Sequence, residues 1–209
     1  MDTQKRQTAV AFDQWSSWWD RAYRLNRVVY EAVVSRLGSE QTTILDVGCG
    51  TGTLARMLAL ADDRRILRGI DLSPRMVEKA QSVASLFPDG RVQFGTGDAE
   101  ALPFPDGAFD GLTNTLSFHH FPNPQTALRE MYRVLRPGGL LVLADVAPPR
   151  FLARLLTWAN YVYRSVAGAE WVRTPGEIIA LLESAGFRVE ETSPVAYFLP
   201  ARVFVGRKV

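Results

Sequence analysis

The chain has 209 residues, which suits one domain, or one domain with an appendage, and allows a sizeable buried core. Hydrophobic residues make up 47% and charged residues 22%, a composition that excludes a disordered chain. Lys and Arg number 24 against 22 Asp and Glu, giving a formal net charge of +2 without a long run of like charges. We therefore do not expect a surface that follows a nucleic-acid backbone.

Cysteine content and the N-terminal sequence bear on cellular location. The single Cys49 excludes an internal disulfide framework and suits a reducing compartment. The first residues show no signal-peptide apolar stretch, and no run approaches the ~18 apolar residues that cross a bilayer. We expect a cytoplasmic protein without stable membrane insertion. The sequence does not indicate its oligomeric state.

Short apolar runs rich in β-formers alternate with helix-like segments from residue 42 onward. Their continuous apolarity is typical of central strands that helices cover on both faces. Strands alternating with helices of this length predict βαβ units, and hence a doubly wound, mostly parallel sheet. The predicted strands are 43–48, 66–72, 91–97, 109–116 and 139–146.

The sequence also predicts the starts of three helices and two C-terminal strands. Three helices are predicted to begin with an N-capping side chain followed by proline, at Ser73-Pro74, Asn123-Pro124 and Thr174-Pro175. Glu177 adds capping-box spacing to the last of them. Two further strand-like runs, 187–195 and 201–209, have no helix between them and predict an antiparallel pair at one edge. The predicted fold is therefore an α/β, Rossmann-like, seven-stranded sheet.

The stretch "ILDVGCGTGTL", residues 44–54, places glycines at alternate positions directly after the first strand. Such a turn brings a ligand against open backbone and points N–H groups and the helix dipole toward it. A plain strand-to-helix turn is the alternative interpretation. A dinucleotide fingerprint would need glycine where Thr53 stands, and the Gly-Lys-Ser/Thr of a P-loop is absent, so both phosphate-binding interpretations weaken.

Two carboxylates follow the next two strands. Asp71 ends the second strand, where a carboxylate can accept from both hydroxyls of a ribose. Capping of the next helix is the alternative, although Ser73 can cap that helix by itself. Asp98 follows the third strand and could accept a hydrogen bond from an exocyclic amine, the alternative being an ordinary exposed loop residue.

Four ordered segments, "LDVGCGTG", "GIDLS", "GDAEALPFPDGAFD" and "ALREMYRVLRPGGLLVLAD", resemble the class I S-adenosylmethionine-dependent methyltransferases. The resemblance is strongest to the ubiquinone/menaquinone-biosynthesis type and covers roughly residues 40–147. It implies S-adenosylmethionine as cofactor. The implied cofactor-binding residues in this core are Asp46, Gly48, Cys49, Gly50, Gly52, Asp71, Leu72, Asp98, Ala99, Asn114 and Thr115.

The resemblance also implies a role for each group. The three glycines and Asp46 would hold the methionyl end, and Asp71 would accept from the ribose hydroxyls. Leu72 would pack on the adenine, Asp98 would accept from its amine, and the Ala99 N–H would lie at the ring edge. Asn114 and Thr115 would line the floor near the sulfonium.

The adjacent His119 and His120, just after the fourth strand, are the candidate catalytic bases. A base would assist methylation of a phenol, an enol or an acidic carbon. Ordering of the loop, or capping of the following helix, is the alternative. A metal pair is disfavoured because no third ligand is evident. The same region lacks the Asn/Asp-Pro-Pro-aromatic motif of enzymes that methylate amino groups of bases, which argues against a nucleic-acid substrate.

The remaining segments predict covers for the site within one methyltransferase domain, 1–209. Residues 1–40 resemble a helical lid in which Trp19 covers the cofactor, and 41–147 form the cofactor-binding core. Residues 148–173 are amphipathic and predict an insertion over an apolar acceptor pocket, with a dimer face or membrane-surface contact as alternatives. Residues 174–209 supply the last helix and the antiparallel strands.

The sequence thus predicts a methyltransferase that acts at oxygen or carbon of a hydrophobic small molecule, such as a phenol, quinol or polyketide-like metabolite. Two alternatives remain open. One is a nucleic-acid or protein methyltransferase, and the other is a relative that binds S-adenosylmethionine without transferring its methyl. A nicotinamide-dependent dehydrogenase is a more distant third.

Overall fold

The computed structural model describes residue 5, residue 10 and residues 26–152, 172–196 and 199–209. Trp19, most of the predicted lid and residues 153–171 of the predicted insertion lie outside these ranges. The strands are β1 Thr43–Val47, β2 Ile66–Asp71, β3 Val92–Thr96, β4 Phe109–Thr115, β5 Leu135–Val146, β6 Phe187–Val195 and β7 Ala201–Lys208. The helices are α1 (residues 26–34), α2 Thr53–Ala61, α3 Pro74–Ala84, α4 Pro124–Val134 and α5 Pro175–Ser184, with a 3₁₀ turn over Phe118–His120.

The seven strands form one sheet in the order β3-β2-β1-β4-β5-β7-β6. Strands β1 to β5 run parallel, whereas β7 is antiparallel to both β5 and β6. The predicted doubly wound sheet with a C-terminal antiparallel pair is therefore confirmed. Strand order reverses direction between β1 and β4, and ligands of open α/β sheets bind at the carboxyl ends of the strands beside such a switch point.

Helices cover both faces of the sheet, which explains why most residues of its central strands are buried. On one face Leu128 of α4 and Leu182 of α5 pack in one fully buried cluster with β4 and β5. On the other face Val33 of α1 and Leu58 of α2 belong to a second buried cluster. No helix within the described ranges is long and apolar enough to cross a bilayer.

Two of the three predicted side-chain caps are present. The Ser73 hydroxyl accepts the Met76 backbone N–H at 3.1 Å at the start of α3. Thr174 and Glu177 form a complete capping box at the start of α5, in which the Glu177 carboxylate accepts the Thr174 backbone N–H at 2.8 Å. These contacts fix helix starts that the sequence located correctly.

The predicted Asn123 cap is wrong. Asn123 is the N-cap residue of α4, but its side chain makes no capping hydrogen bond. Its amide instead donates to the Glu100 carboxylate at 3.0 Å, and its backbone N–H donates to the same carboxylate at 3.1 Å. The Asn123 side chain therefore binds Glu100, 23 residues away in sequence, instead of capping α4 as the local pattern predicted.

The capping box yields a stability prediction. Thr174→Ala should lower the free energy of unfolding by about 1 kcal/mol, because it leaves a first-turn N–H of α5 without its side-chain acceptor. Thr174→Ser keeps the hydroxyl and should retain most of that free energy. Urea unfolding followed by circular dichroism measures both. Equal losses in the two variants would show that the hydroxyl contributes nothing.

Candidate active site

A pocket lies at the carboxyl ends of β1, β2, β3 and β4. Its empty space, including a part open to solvent, is about 1230 Å³. Much of the wall is apolar, with Leu54, Ile70, Leu72, Met76, Leu116 and Phe121 among the lining side chains. Its position beside the topological switch point is the one that open α/β sheets use for ligands.

Most of the predicted site residues meet at this pocket. Those that line it are Asp46, Gly48, Cys49, Gly50, Asp71, Leu72, Asp98, Ala99, Thr115 and His120. Gly52, Asn114 and His119 are not among its lining residues. Trp19 lies outside the described residues. The roles of all these residues in binding or catalysis stay predictions.

Gly50 leaves open space at the pocket wall. Its φ is +53°, and a Cβ built on it would meet no atom of the described residues within 4 Å. Its backbone N–H donates to Asp71 Oδ2 at 2.9 Å. The backbone is therefore fixed while the space beside it stays free, as a cradle for a closely approaching ligand requires.

The other two glycines of the loop are crowded by the protein itself. A Cβ on Gly48 would clash with the Ser117 hydroxyl, and a Cβ on Gly52 would lie 2.8 Å from the Phe94 ring. Asn114 donates from Nδ2 to Ser117 Oγ at 2.7 Å and to the Val47 carbonyl at 2.8 Å. Gly48 and Asn114 thus tie the glycine loop to the loop after β4, while Gly52 packs inside the turn.

Asp71 combines a structural contact with exposure to the pocket. Besides the Gly50 bond, its Oδ1 accepts the Ser73 backbone N–H at 2.9 Å. Asp71 also lines the pocket, so its carboxylate is an acceptor within reach of a ligand there. Ser73 caps α3 with its own hydroxyl. Ser73, and not Asp71, therefore supplies the side-chain cap of α3, while Asp71 binds the Ser73 backbone N–H and lines the pocket.

Asp46 is buried beneath the pocket, with 2% of its surface exposed. Its Oδ1 accepts the Thr113 hydroxyl at 2.8 Å. Burial, with a further contribution from the charge of Asp71, raises the pKa of Asp46 to about 7 against the lowering effect of the Thr113 bond. Burial likewise raises the pKa of the neighbouring Cys49 thiol, which therefore stays protonated and unreactive at neutral pH.

The end of β4 contributes an unpaired acceptor and a strained backbone. Thr115 is 8% exposed, and its Oγ1 has no hydrogen-bond partner among the described residues. Leu116 follows with φ +54°, and it is the one non-glycine residue in the left-handed region within the described part of the chain. Its N–H donates to the Ala144 carbonyl at 2.8 Å, which holds that conformation. Strain of this kind concentrates at functional sites.

A charged cluster lies on the wall where adenine is predicted. Lys5 Nζ is 2.8 Å from Asp98 Oδ2 and 2.7 Å from Glu100 Oε2. Burial disfavours the Lys5 ammonium, but hydrogen bonds and charge from both carboxylates outweigh it and raise the pKa of Lys5. Asp98 therefore already holds a cationic partner.

His119 is held by the carboxylate that ends β5. Its Nδ1 lies 2.6 Å from Asp145 Oδ1, and its backbone N–H donates to Asp145 Oδ2 at 2.9 Å. Asp145 is 1% exposed. With the carboxylate accepting from Nδ1–H, the Nε2 nitrogen of His119 is left as the acceptor for an external proton.

The surroundings distinguish the two histidines. The His120 ring lies against the His119 ring, with centroids 4.0 Å apart and the ring planes tilted by 44°. His120 lines the pocket, whereas His119 contacts the Asp145 carboxylate. Arg173 lies over the Phe118 ring, with its guanidinium carbon 5.4 Å from the centroid. Burial lowers the pKa of Arg173, and the charge of Asp145 opposes this. A cation thus lies within the electrostatic reach of the buried Asp145.

Several residues at the site were not found from the sequence. Lys5 was missed because it lies 93 residues from Asp98 in sequence. Glu100 stands two residues after Asp98, but its pattern did not mark it as a site residue. Asn26 and Tyr30 of α1 also line the pocket. Asp145 had a usable signal, since it is an acidic residue at the carboxyl end of a predicted parallel strand, where active-site groups converge.

Comparisons with known proteins agree with this geometry. The family model of a methyltransferase domain matches residues 45–143. The chain is 42% identical over 104 residues to the 2-methyl-6-phytyl-1,4-hydroquinone methyltransferase of Synechocystis, covering 50% of this chain and 32% of that protein. It is 36% identical over 164 residues to the demethylmenaquinone methyltransferase of Thermus thermophilus, covering 70% and 74% respectively.

A solved structure shows the same fold. A S-adenosylmethionine-dependent methyltransferase from Aquifex aeolicus superposes with a TM-score of 0.75 at 23% identity, over 94% of this chain and 98% of that one. The chain spans about a third of the Synechocystis protein and about three quarters of the Thermus protein. It belongs to the family of S-adenosylmethionine-dependent methyltransferases that carry this domain. The predicted family and its cofactor are confirmed.

The pocket fits that cofactor on three features of this chain. Among the described residues, no side-chain atom comes within 4 Å of the Gly50 Cβ position, the buried Thr115 hydroxyl has no partner, and the Asp71 carboxylate lines the pocket. An adenosyl ligand with a charged amino-acid tail needs an open backbone wall and several acceptors of this kind.

Asp46 gives a pH dependence that unfolding can measure. Its folded pKa of about 7 exceeds the unfolded value of 3.8, so the folded state holds the proton longer. The stability that it contributes is full below pH 3.8 and is lost as the pH rises to about 7. Relative to Asp46→Asn, the wild-type free energy of unfolding should fall across that window by up to about 4 kcal/mol and then level off. Parallel pH profiles for the two proteins would contradict the shifted pKa.

Proposed function

We propose that the protein transfers the methyl group of S-adenosylmethionine to oxygen or carbon of a hydrophobic small molecule, such as a phenol or quinol. The observation that carries the proposal is the open backbone at Gly50, bonded to Asp71, in a chain of this family. A cytoplasmic location, which the single Cys49 favours, is part of the same proposal.

The cofactor residues are proposed from their positions on the wall. When bound, S-adenosylmethionine supplies a methyl group that its sulfonium has already activated. Gly50 leaves room for the methionyl end, and Asp71 accepts hydrogen bonds from the ribose hydroxyls. Thr115 and Asp46 supply acceptors at the floor of the pocket. Leu72, Ala99 and Asp98 flank the predicted adenine position.

The class of acceptor rests on the relatives and on the wall. The names of the two relatives specify a phytyl hydroquinone and demethylmenaquinone as acceptors. The apolar lining residues of the pocket suit a lipophilic ring in the same way. With a formal net charge of +2, the chain offers little excess charge for a polyanionic substrate.

Of the two candidate bases, His120 lines the pocket, whereas His119 has the oriented ring, and the proposal favours His119 because of that orientation. Asp145 orients its ring through Nδ1 and leaves Nε2 to accept a proton from a hydroxyl or an acidic carbon of the acceptor. Asp145 is buried and itself bonded to two backbone N–H groups, those of His119 and Val146. The imidazole is thereby fixed in one orientation before the acceptor arrives, which is what an oriented base requires.

Cofactor binding and methyl transfer can be tested together on the purified protein. S-adenosylhomocysteine should bind in calorimetry, and Asp71→Ala should weaken it at least about tenfold through the lost ribose contacts. Asp63→Ala, on an exposed turn, is the matched control. Radiolabelled cofactor with a panel of lipophilic phenols and quinols should give methylated products.

Three outcomes would count against the proposal. Equal affinity in wild type and Asp71→Ala would remove the ribose assignment. Binding of S-adenosylhomocysteine without methyl gain by any acceptor would favour a relative that only binds the cofactor. Label transferred to RNA or protein instead would favour the macromolecular alternative.

The base assignment predicts a split between binding and turnover. His119→Gln and Asp145→Asn should each lower kcat about 100-fold, because the acceptor proton loses its oriented base, with affinity for S-adenosylhomocysteine unchanged. His120→Gln, which leaves the Asp145 contact intact, should cost less. Near-ultraviolet circular dichroism checks that the variants fold. Full turnover in His119→Gln, or an equal loss in His120→Gln, would overturn the choice of His119.

A further inference from the structure

Lys5 bridges two carboxylates on the wall of the cofactor pocket. Its ammonium lies 2.8 Å from Asp98 and 2.7 Å from Glu100, and its side chain is 10% exposed. The Asp98 and Glu100 side chains are 33% and 12% exposed. A lysine 93 residues away in sequence therefore sits, largely shielded from water, on the carboxylate predicted to bind adenine.

Glu100 links Lys5 to the loop that carries Asn123, on another wall of the pocket. Its carboxylate accepts both the backbone N–H and the side-chain amide of Asn123, at 3.1 and 3.0 Å. Asn123 directly follows Phe121 and Pro122, which line the pocket. The cluster of Lys5, Asp98 and Glu100 thus joins the loop after β3 to the loop before α4.

Asp98 can hold Lys5 and a ligand amine at once. Oδ2 accepts from Lys5, and Oδ1 accepts the Glu100 backbone N–H at 3.0 Å. An ionised carboxylate offers about four lone-pair positions, of which these bonds use two. Asp98 can therefore accept a hydrogen bond from the amine of adenine while its bond to Lys5 remains in place.

The charges of Asp98 and Glu100 favour keeping Lys5 in its ion pairs when a ligand binds. Its removal would leave two neighbouring, partly buried carboxylates without their cation. A neutral amine makes a weaker hydrogen bond than an ammonium and cannot compensate two charges. Retention of Lys5 is therefore the favoured arrangement.

We propose that Lys5 is a positioning residue of the cofactor site, which fixes the Asp98 carboxylate for the adenine amine and stays in place in the bound state. The inference rests on the proposed cofactor role of Asp98. Lys5 acts through Asp98 and Glu100 and takes no part in the methyl transfer.

Calorimetry with S-adenosylhomocysteine tests the role without turnover. Lys5→Met keeps the aliphatic stem but removes the charge, and should raise the dissociation constant about tenfold, because Asp98 loses the bond that orients it. Lys5→Arg should restore most of the affinity. Arg188→Met, which breaks the Arg188–Glu190 pair on the edge strand β6, is the matched control and should not change the affinity.

Measuring the effect of Lys5→Met in the Asp98→Asn variant shows whether Lys5 acts through Asp98. Asp98→Asn should itself weaken binding, and adding Lys5→Met to it should change the dissociation constant less than about twofold. A full further tenfold loss in that background would show that Lys5 does not act through Asp98 and would overturn the proposal. Unchanged or tighter binding by Lys5→Met, in a wild type that binds, would overturn the proposal and leave the proposed function intact. Absence of binding by wild type would contradict the proposed function, and the role of Lys5 with it.

Discussion

The site depends on a glycine loop that is bonded on two sides before any ligand arrives. The N–H groups of Gly48 and Cys49 both donate to the Ile70 carbonyl, at 2.8 and 2.9 Å, which fixes the loop to β2. Ser117, packed over Gly48 and bonded to Asn114, fixes it to the end of β4. The Ser117 side chain thus fills the space beside Gly48, and of the three loop glycines Gly50 alone has no described atom near its Cβ position. One sequence pattern therefore serves two purposes: close packing at one glycine and close approach of a ligand at another.

The charges at the site follow from the same strand ends. Parallel strands place their carboxyl ends at one edge, so the acidic residues that end β1 and β2 meet around a single pocket. Burial, with a smaller contribution from the charge of Asp71, raises the pKa of Asp46, whereas Asp98 and Glu100 share the ammonium of Lys5. A pocket with this surplus of acceptors suits a ligand that brings hydroxyls, an amine and an ammonium.

How far the sequence predicted the structure depended on the range of each interaction. Apolar runs and the caps at Ser73 and Thr174 are local, and the fold followed from them. Asn123 has the same local pattern, but Glu100 takes its side chain, and no local rule can show that competition. The Lys5–Asp98 and His119–Asp145 contacts span 93 and 26 residues, so the types of the residues were visible while their partners were not. Glycine spacing located the loop, yet it could not distinguish the open Gly50 from the filled Gly48.

The buried Asp46–Thr113 pair and the His119–Asp145 pair lie on opposite faces of the sheet. Side chains alternate along a strand, so Asp46 and Thr113 share the α1–α2 face, while Asp145, two residues after Leu143, shares the α4–α5 face. The loop after β4 crosses the strand ends between these faces. It carries Ser117 against the glycine loop and His119 against Asp145 within three residues. Its strained start at Leu116 is held by a hydrogen bond to Ala144 of β5, so the loop begins from a fixed position at the end of the sheet.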